Sequence, residues 1–135
     1  MILRRVWMFA LLPTLLLLMG ARQAPLTDPD PVAVPPGVSA EVVQREIKRA
    51  LLGRNWTITG ESAEGIDATL NLRDHVARIR VTRDGERVRF VYVSSENLKF
   101  EEKKGQRYIH KNYLSWINNL VTDLSRGLQL ESMGQ

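Results

Sequence analysis

Between Ile66 and Tyr92 apolar residues recur at every second position. Ile66, Ala68, Leu70 and Leu72 are separated by Asp67, Thr69 and Asn71; Ala77, Ile79 and Val81 by Arg78 and Arg80; Val88, Phe90 and Tyr92 by Arg89 and Val91. A period of two puts one set on each face of a pleated strand. Asp84-Gly85, between the second and third runs, is the strongest short-range hairpin signal. A two-residue turn there pairs Arg83 with Glu86, which sets Val81 opposite Val88, Ile79 opposite Phe90 and Ala77 opposite Tyr92. A turn centred on Arg73-Asp74 sets Leu70 opposite Ala77, Ala68 opposite Ile79 and Ile66 opposite Val81. Both turns give the same apolar face, and a slip of one residue would expose it. The chain is thereby committed to an antiparallel sheet with one buried face. The other face carries Asp67, Thr69, Arg78, Arg80, Arg87 and Arg89, with Val76 and Val91 as its apolar members.

A one-faced sheet needs a cover, and two helical patterns supply it. Ser39 is placed to N-cap a helix whose apolar positions Val43, Ile47, Ala50 and Leu51 fall on one side and which stops at Gly53. Tyr113, Ile117, Leu120, Leu124 and Leu128, joined by Leu114 and Val121, predict a second helix from about Lys111 to about Leu130. Trp56 and Ile58 alternate with threonines as a short first strand, and the polar stretches Gly60 to Gly65 and Ser94 to Arg107 are expected as loops. The expected architecture is α+β in two layers, α-β-β-β-β-α, with a four-stranded antiparallel sheet and both helices on one face.

Ahead of this domain, Arg4 and Arg5 precede an apolar run from Val6 to Ala21. That is the pattern of an export signal, a positively charged start followed by an apolar stretch. The run is short for a membrane span, which usually takes about 20 residues, so a cleaved signal peptide is the leading expectation and an uncleaved anchor the alternative. Leu18 and Met19, three residues before the cuts after Gly20 and Ala21, are large where small residues are preferred; a cut after Ala24 would put Pro25 next. The organisation expected is residues 1–24 as signal peptide or signal anchor, 25–37 as a proline-rich extended tether, and 38–135 as the α+β domain. The last span has a length that suits one core. The location expected is the periplasm, with the chain soluble or held at the inner membrane.

Removing residues 1–24 takes away Arg4, Arg5 and Arg22, three of the 19 basic residues and none of the 15 acids, so the net charge falls from +4 to +1. A nearly neutral domain gives no electrostatic case for a dedicated nucleic-acid binder, and none is expected as a partner. The absence of cysteine excludes disulfides, thiol catalysis and cysteine-ligated metal.

The stretches Ser95-Glu96-Asn97-Leu98-Lys99-Phe100 and Ile109-His110-Lys111-Asn112-Tyr113-Leu114-Ser115-Trp116-Ile117-Asn118-Asn119-Leu120 resemble the end of a family of small bacterial envelope lipoproteins that carry no assigned reaction. Gly53-Arg54-Asn55-Trp56 and Leu72-Arg73-Asp74-His75-Val76-Ala77 are similar to the same pattern, so the resemblance covers most of residues 40 to 128. It implies envelope location and this fold, and no reaction. Members of that family commonly carry a lipid-accepting cysteine just after the apolar run; here Ala21 follows Gly20, and lipidation at that position is excluded.

Chemistry-bearing motifs are sparse. The sequence has no glycine-rich phosphate loop, nucleophile elbow or paired-histidine spacing. His75 reads as a solvated turn residue, Lys103-Lys104-Gly105 as a solvated loop tip, and no catalytic residue, metal or cofactor is expected. His110, ahead of the last helix, is expected to accept a hydrogen bond from the first turn and to titrate low. Ser94 and Ser95 with His110 and Glu96 or Glu101 are the only conceivable nucleophilic set, and a hydrolase using Ser95 and His110 is the alternative, although serine at a strand end is ordinarily turn chemistry. Two groups remain as binding candidates. Asn97, Tyr108, His110, Tyr113 and Trp116 form an aromatic and amide group around the last loop. Arg78, Arg80, Arg87 and Arg89 would suit an anionic lipid or cell-wall polymer, unless cross-strand pairing to Asp67 and Glu86 merely keeps the sheet soluble. The expected function is a non-enzymatic periplasmic module that binds an envelope protein or cell-surface component, with membrane contact through residues 6–21 if they are retained.

Overall fold

The computed structural model describes residues 22–134. The expectations placed on Arg4, Arg5 and the Val6–Ala21 run therefore lie outside the described residues. Among those described, no helix is long and apolar enough to cross a membrane.

The α+β class holds, but the sheet is larger than the four strands expected and is accompanied by a second one. In chain order the elements are β1 (Gln23–Pro25), β2 (Val32–Ala33), α1 (Ala40–Gly53), β3 (Thr57–Ser62), β4 (Gly65–Leu72), β5 (His75–Asp84), β6 (Arg87–Glu96), β7 (Glu101–Lys103), β8 (Gln106–His110) and α2 (Lys111–Met133). Five strands form an antiparallel sheet in the order β2-β6-β5-β4-β3, and three form a smaller one in the order β1-β8-β7. The segment Gly60 to Gly65, expected as a loop, is instead strand on both sides of a tight turn, with a bulge between Ile58 and Gly60. Gly65 is required there, because its φ is +149° and a Cβ would run into the Val81 carbonyl oxygen.

The β4–β5 register matches the sequence arithmetic residue for residue: Leu70 faces Ala77, Ala68 faces Ile79 and Ile66 faces Val81. The β5–β6 register does not. Asp84 pairs with Arg87, so the two-residue turn is Gly85-Glu86, and Val81 faces Phe90 while Ile79 faces Tyr92. Gly85, with φ +56°, takes the first central position, where a Gly-X hairpin turn needs a positive φ. A shift of two residues preserves the faces, so Val88 and Phe90 are still buried. Beyond Ile79 a bulge leaves Val93 without a partner, and Ala77 then faces Ser95 in place of Tyr92.

The proline-rich segment is no tether. β1 pairs with β8 and β2 with β6, so residues 22–38 strap the small sheet to the edge of the large one. Prolines are tolerated because each of these strands lies at a sheet edge, where few backbone N–H groups must be paired. Leu26, Val32 and Val38 are buried. Isolated hydrogen bonds fix the rest: Leu26 N donates to Arg107 O at 2.8 Å, Val34 N to Glu86 O at 2.7 Å, and Tyr92 N to Asp28 Oδ1 at 3.0 Å. Likewise, the stretch expected as a polar loop after Ser94 contains the β7–β8 hairpin. Its turn is Lys104-Gly105, both with positive φ, which corrects the reading of Lys103-Lys104-Gly105 as a simple loop tip.

Both helices form as their periodicity requires. Ser39 Oγ caps α1 by accepting from Val42 N at 3.2 Å. α1 buries Val43, Ile47, Ala50 and Leu51, and α2 buries Tyr113, Ile117, Leu120, Leu124 and Leu128, all in one core with the inward sheet face. α1 also buries an acid: Glu46 is 3% exposed. It packs against Gly127 of α2 so closely that a Cβ there would lie 2.5 Å from Glu46 Oε2. Burial first, then the hydrogen bond with Glu131, pushes the Glu46 carboxyl above the usual glutamate range.

Candidate functional site

One pole of the domain gathers the chain's entry at Arg22, the β4–β5 turn, the β6–β7 loop and the start of α2. Hydrogen bonds tie them in sequence. Asn97 Nδ2 donates to Asp74 O at 2.7 Å, and the His75 ring shares a 2.6 Å hydrogen bond with Asn97 O. His110 N donates to Leu98 O at 2.8 Å, Lys111 N to Arg22 O at 3.0 Å, and Gln23 Nε2 to Lys99 O at 2.8 Å. Leu98 is buried between Asn97 and Lys99, both held at positive φ. His75 is thus a half-buried clasp on the β6–β7 loop rather than a solvated turn residue, and its ring lies 6.3 Å from that of Trp116. His110 caps α2, its Nδ1 accepting from Asn112 N at 3.0 Å as the sequence anticipates. Burial, reinforced by Lys99, His75 and Arg22, holds its imidazole below the usual histidine range.

Beside this clasp opens a cleft of about 270 Å³ lined by Trp56, Trp116, Leu70 and Leu72 and by the polar groups of Arg54, Asn55, Asn71 and Asn119. Trp56 forms the floor, being 2% exposed, while Trp116 is half-buried. Asn55 leaves α1 at φ +66°, a conformation that Asn tolerates better than most residues. Arg54 is fixed in a two-pronged ion pair with Asp123, at 2.8 and 3.2 Å. Asn55, Asn71 and Asn119 are exposed at the lining of the cleft, and a carboxamide carries one acceptor and two donors.

The aromatic and amide group expected from the sequence divides. Asn97, His110 and Trp116 belong to this pole. Tyr113 is 2% exposed and sits edge-on to Tyr92 at 5.5 Å, and Tyr92 in turn stacks on Phe100 at 5.2 Å. Burial pushes the Tyr113 hydroxyl well above the usual phenol range. Tyr108 lies in the small sheet between Pro25 and Glu101. The arginine face is largely self-neutralised. Arg78 reaches Glu96 at 2.9 Å, Arg80 makes a two-pronged pair with Asp67 at 2.7 and 3.2 Å, and Arg89 reaches Asp84 at 3.0 Å. Asp84 takes the place expected for Glu86, a consequence of the shifted β5–β6 register. Arg87 is exposed and in none of these pairs.

The bonds of Ser95 and His110 lead in different directions. Ser95 Oγ shares a 2.7 Å hydrogen bond with Tyr92 Oη, and His110 Nδ1 is spent on the helix cap. Among the described residues no group of three or more His, Asp and Glu side chains is placed to hold a metal ion. The sequence reading missed Asn55, Asn71 and Asn119 because an exposed asparagine beside a turn is unremarkable along the chain; the signal lay in their recurrence around two tryptophans distant in sequence. No family model, curated protein or solved structure matches the chain.

Proposed function

We propose that this chain is a non-enzymatic module of the bacterial envelope that holds a partner protein or cell-surface component in the Trp116 cleft. The observation that carries the reading is the ring of three exposed carboxamides and one fixed guanidinium around a half-buried tryptophan. Binding sites combine an apolar wall with a few convergent polar groups. At about 270 Å³ the cleft suits a single hydroxyl- or amide-bearing unit of a longer chain. The export pattern before Arg22 agrees with a place outside the cytoplasm. The resemblance to small envelope lipoproteins points the same way.

A photo-crosslinking residue at Asn119 of the full chain, in living cells, is expected to trap a discrete adduct that disappears in Trp116→Ala and persists in Arg80→Ala. An adduct indifferent to Trp116 would overturn the cleft. Fusion of the chain to a reporter active only outside the cytoplasm tests the location separately, and a silent reporter on an expressed fusion would refute it.

A further inference from the structure

The same pole carries exposed cations that the cleft does not use. Arg22, Arg73, Lys99 and Lys111 are all exposed here, and Arg73, Lys99 and Lys111 take part in none of the ion pairs among the described residues. The acids nearby are Asp74, beside His75, Glu96, which is held by Arg78, and Glu101, which is held by Lys103. Two large apolar residues here are partly open to solvent: Leu72 at the rim of the cleft, 43% exposed, and Phe100, stacked on Tyr92, 40% exposed. Leu72 adjoins Arg73, and Phe100 adjoins Lys99.

The chain's geometry says what these groups face. The Val6–Ala21 run ends at the residue before Arg22, and Arg22 is already bonded to Lys111. No spacer separates the apolar run from the folded strap. A domain attached without slack to a membrane-embedded run must rest with the attachment pole on the lipid surface. There, cations meet anionic headgroups, while tryptophan and exposed apolar side chains suit the interface.

We infer that the pole formed by Arg22, Arg73, Lys99 and Lys111, with Leu72 and Phe100, docks the domain onto an anionic phospholipid bilayer in which Val6–Ala21 is retained as an anchor. The inference rests on the export reading, and it takes the anchor alternative over the cleaved signal. Leu18 and Met19 are poor residues three before a cut, and a cut after Ala24 would remove two of the three residues of β1.

Because the chain has no cysteine, single labels are straightforward. Full-length protein carrying an environment-sensitive dye at Leu72→Cys or at Glu86→Cys is reconstituted in phosphatidylcholine vesicles with or without phosphatidylglycerol, and headgroup-labelled lipid serves as quencher. Glu86 lies at the far end of β5, roughly 30 Å away at the rise of a strand. Strong quenching at position 72 and little at 86 is expected in phosphatidylglycerol vesicles, weakening in high salt. Replacing Arg73, Lys99 and Lys111 together by serine should lower the ratio of seated to lifted domains by on the order of a hundredfold, roughly fivefold for each cation. These positions are exposed, and a circular-dichroism melt checks that the variant is folded. Equal quenching at the two positions, or quenching at 72 that ignores the triple substitution, overturns the docking surface. Release of the chain from cell membranes by alkaline carbonate, or its loss of residues 1–21 in cells, overturns the anchored geometry while leaving the Trp116 cleft standing.

Discussion

The β4–β5 hairpin and the strap of residues 22–38 both end up against the core, yet they reach it by opposite means. The hairpin is specified along its length: Ile66, Ala68 and Leu70 are buried opposite Val81, Ile79 and Ala77, every residue from Ile66 to Leu72 has a partner on β5, and a slip of one position would turn the apolar set to solvent. The strap is specified at points. Three buried side chains, Leu26, Val32 and Val38, and a few isolated hydrogen bonds hold a segment whose prolines exclude continuous pairing. Periodic burial is legible along a sequence; point attachment is legible only after the surface it attaches to exists.

The contrast can be broken most severely inside the hairpin. Ile79→Asp sets a carboxylate among Ala68, Tyr92 and the helix-facing core, at a cost of several kcal/mol, about the whole stability of a domain this size. A circular-dichroism melt is expected to lose its cooperative transition. In the strap, Leu26→Ala should cost roughly 2 to 3 kcal/mol, the scale of a buried leucine truncated to alanine. A free tether would show no loss in the same denaturation curve, so this variant separates the two descriptions directly. His110→Ala removes the cap where strap and helix meet, and about 1 kcal/mol should be lost in urea unfolding. Crosslinking at the cleft should decline only in proportion. Arg80→Asp, one residue from Ile79 but on the solvated face, should still melt cooperatively. A collapse as deep as that of Ile79→Asp would mean the faces are misassigned.

How far the sequence could be read follows from the same contrast. Both helices and the complete β4–β5 register were accessible from spacing alone. The β5–β6 pairing differs by two because Asp84-Gly85 is a strong turn signal in itself, while the fold uses Gly85-Glu86; the bulge at Val93 then adds one more residue to the offset. The faces survive because two is the period of a strand. β1 and β2 were hidden by prolines, and β7–β8 by polarity: Glu101, Lys103 and Gln106 carry no apolar alternation, and only Lys104-Gly105 hints at a turn. Within the candidate site, Asn97, His110 and Trp116 lie close along the chain and were grouped from it. His75, Asn55 and Asn71 joined them only through β-strand pairing across the sheet.

The acid buried between the helices and the histidine that caps α2 respond to protons with opposite signs. Glu46, beside Gly127, has its folded pKa raised, so the folded state holds more protons than the unfolded one above the ordinary glutamate pKa. Its contribution is fully present below that value and is lost as pH rises through the folded pKa; Glu46→Gln should abolish this slope in pH-dependent melts. His110, at the other end of the helix, has its folded pKa lowered, so its contribution is present above the ordinary histidine pKa of about 6.5 and is lost as pH falls through the folded one. Amide hydrogen exchange along α2 would resolve the two, with protection at the first turn falling and protection around Gly127 rising on mild acidification. Acidification therefore acts through His110 to loosen the start of α2 and through Glu46 to tighten its contact with α1, the second effect set against Glu131, whose pairing with Arg45 is lost in acid.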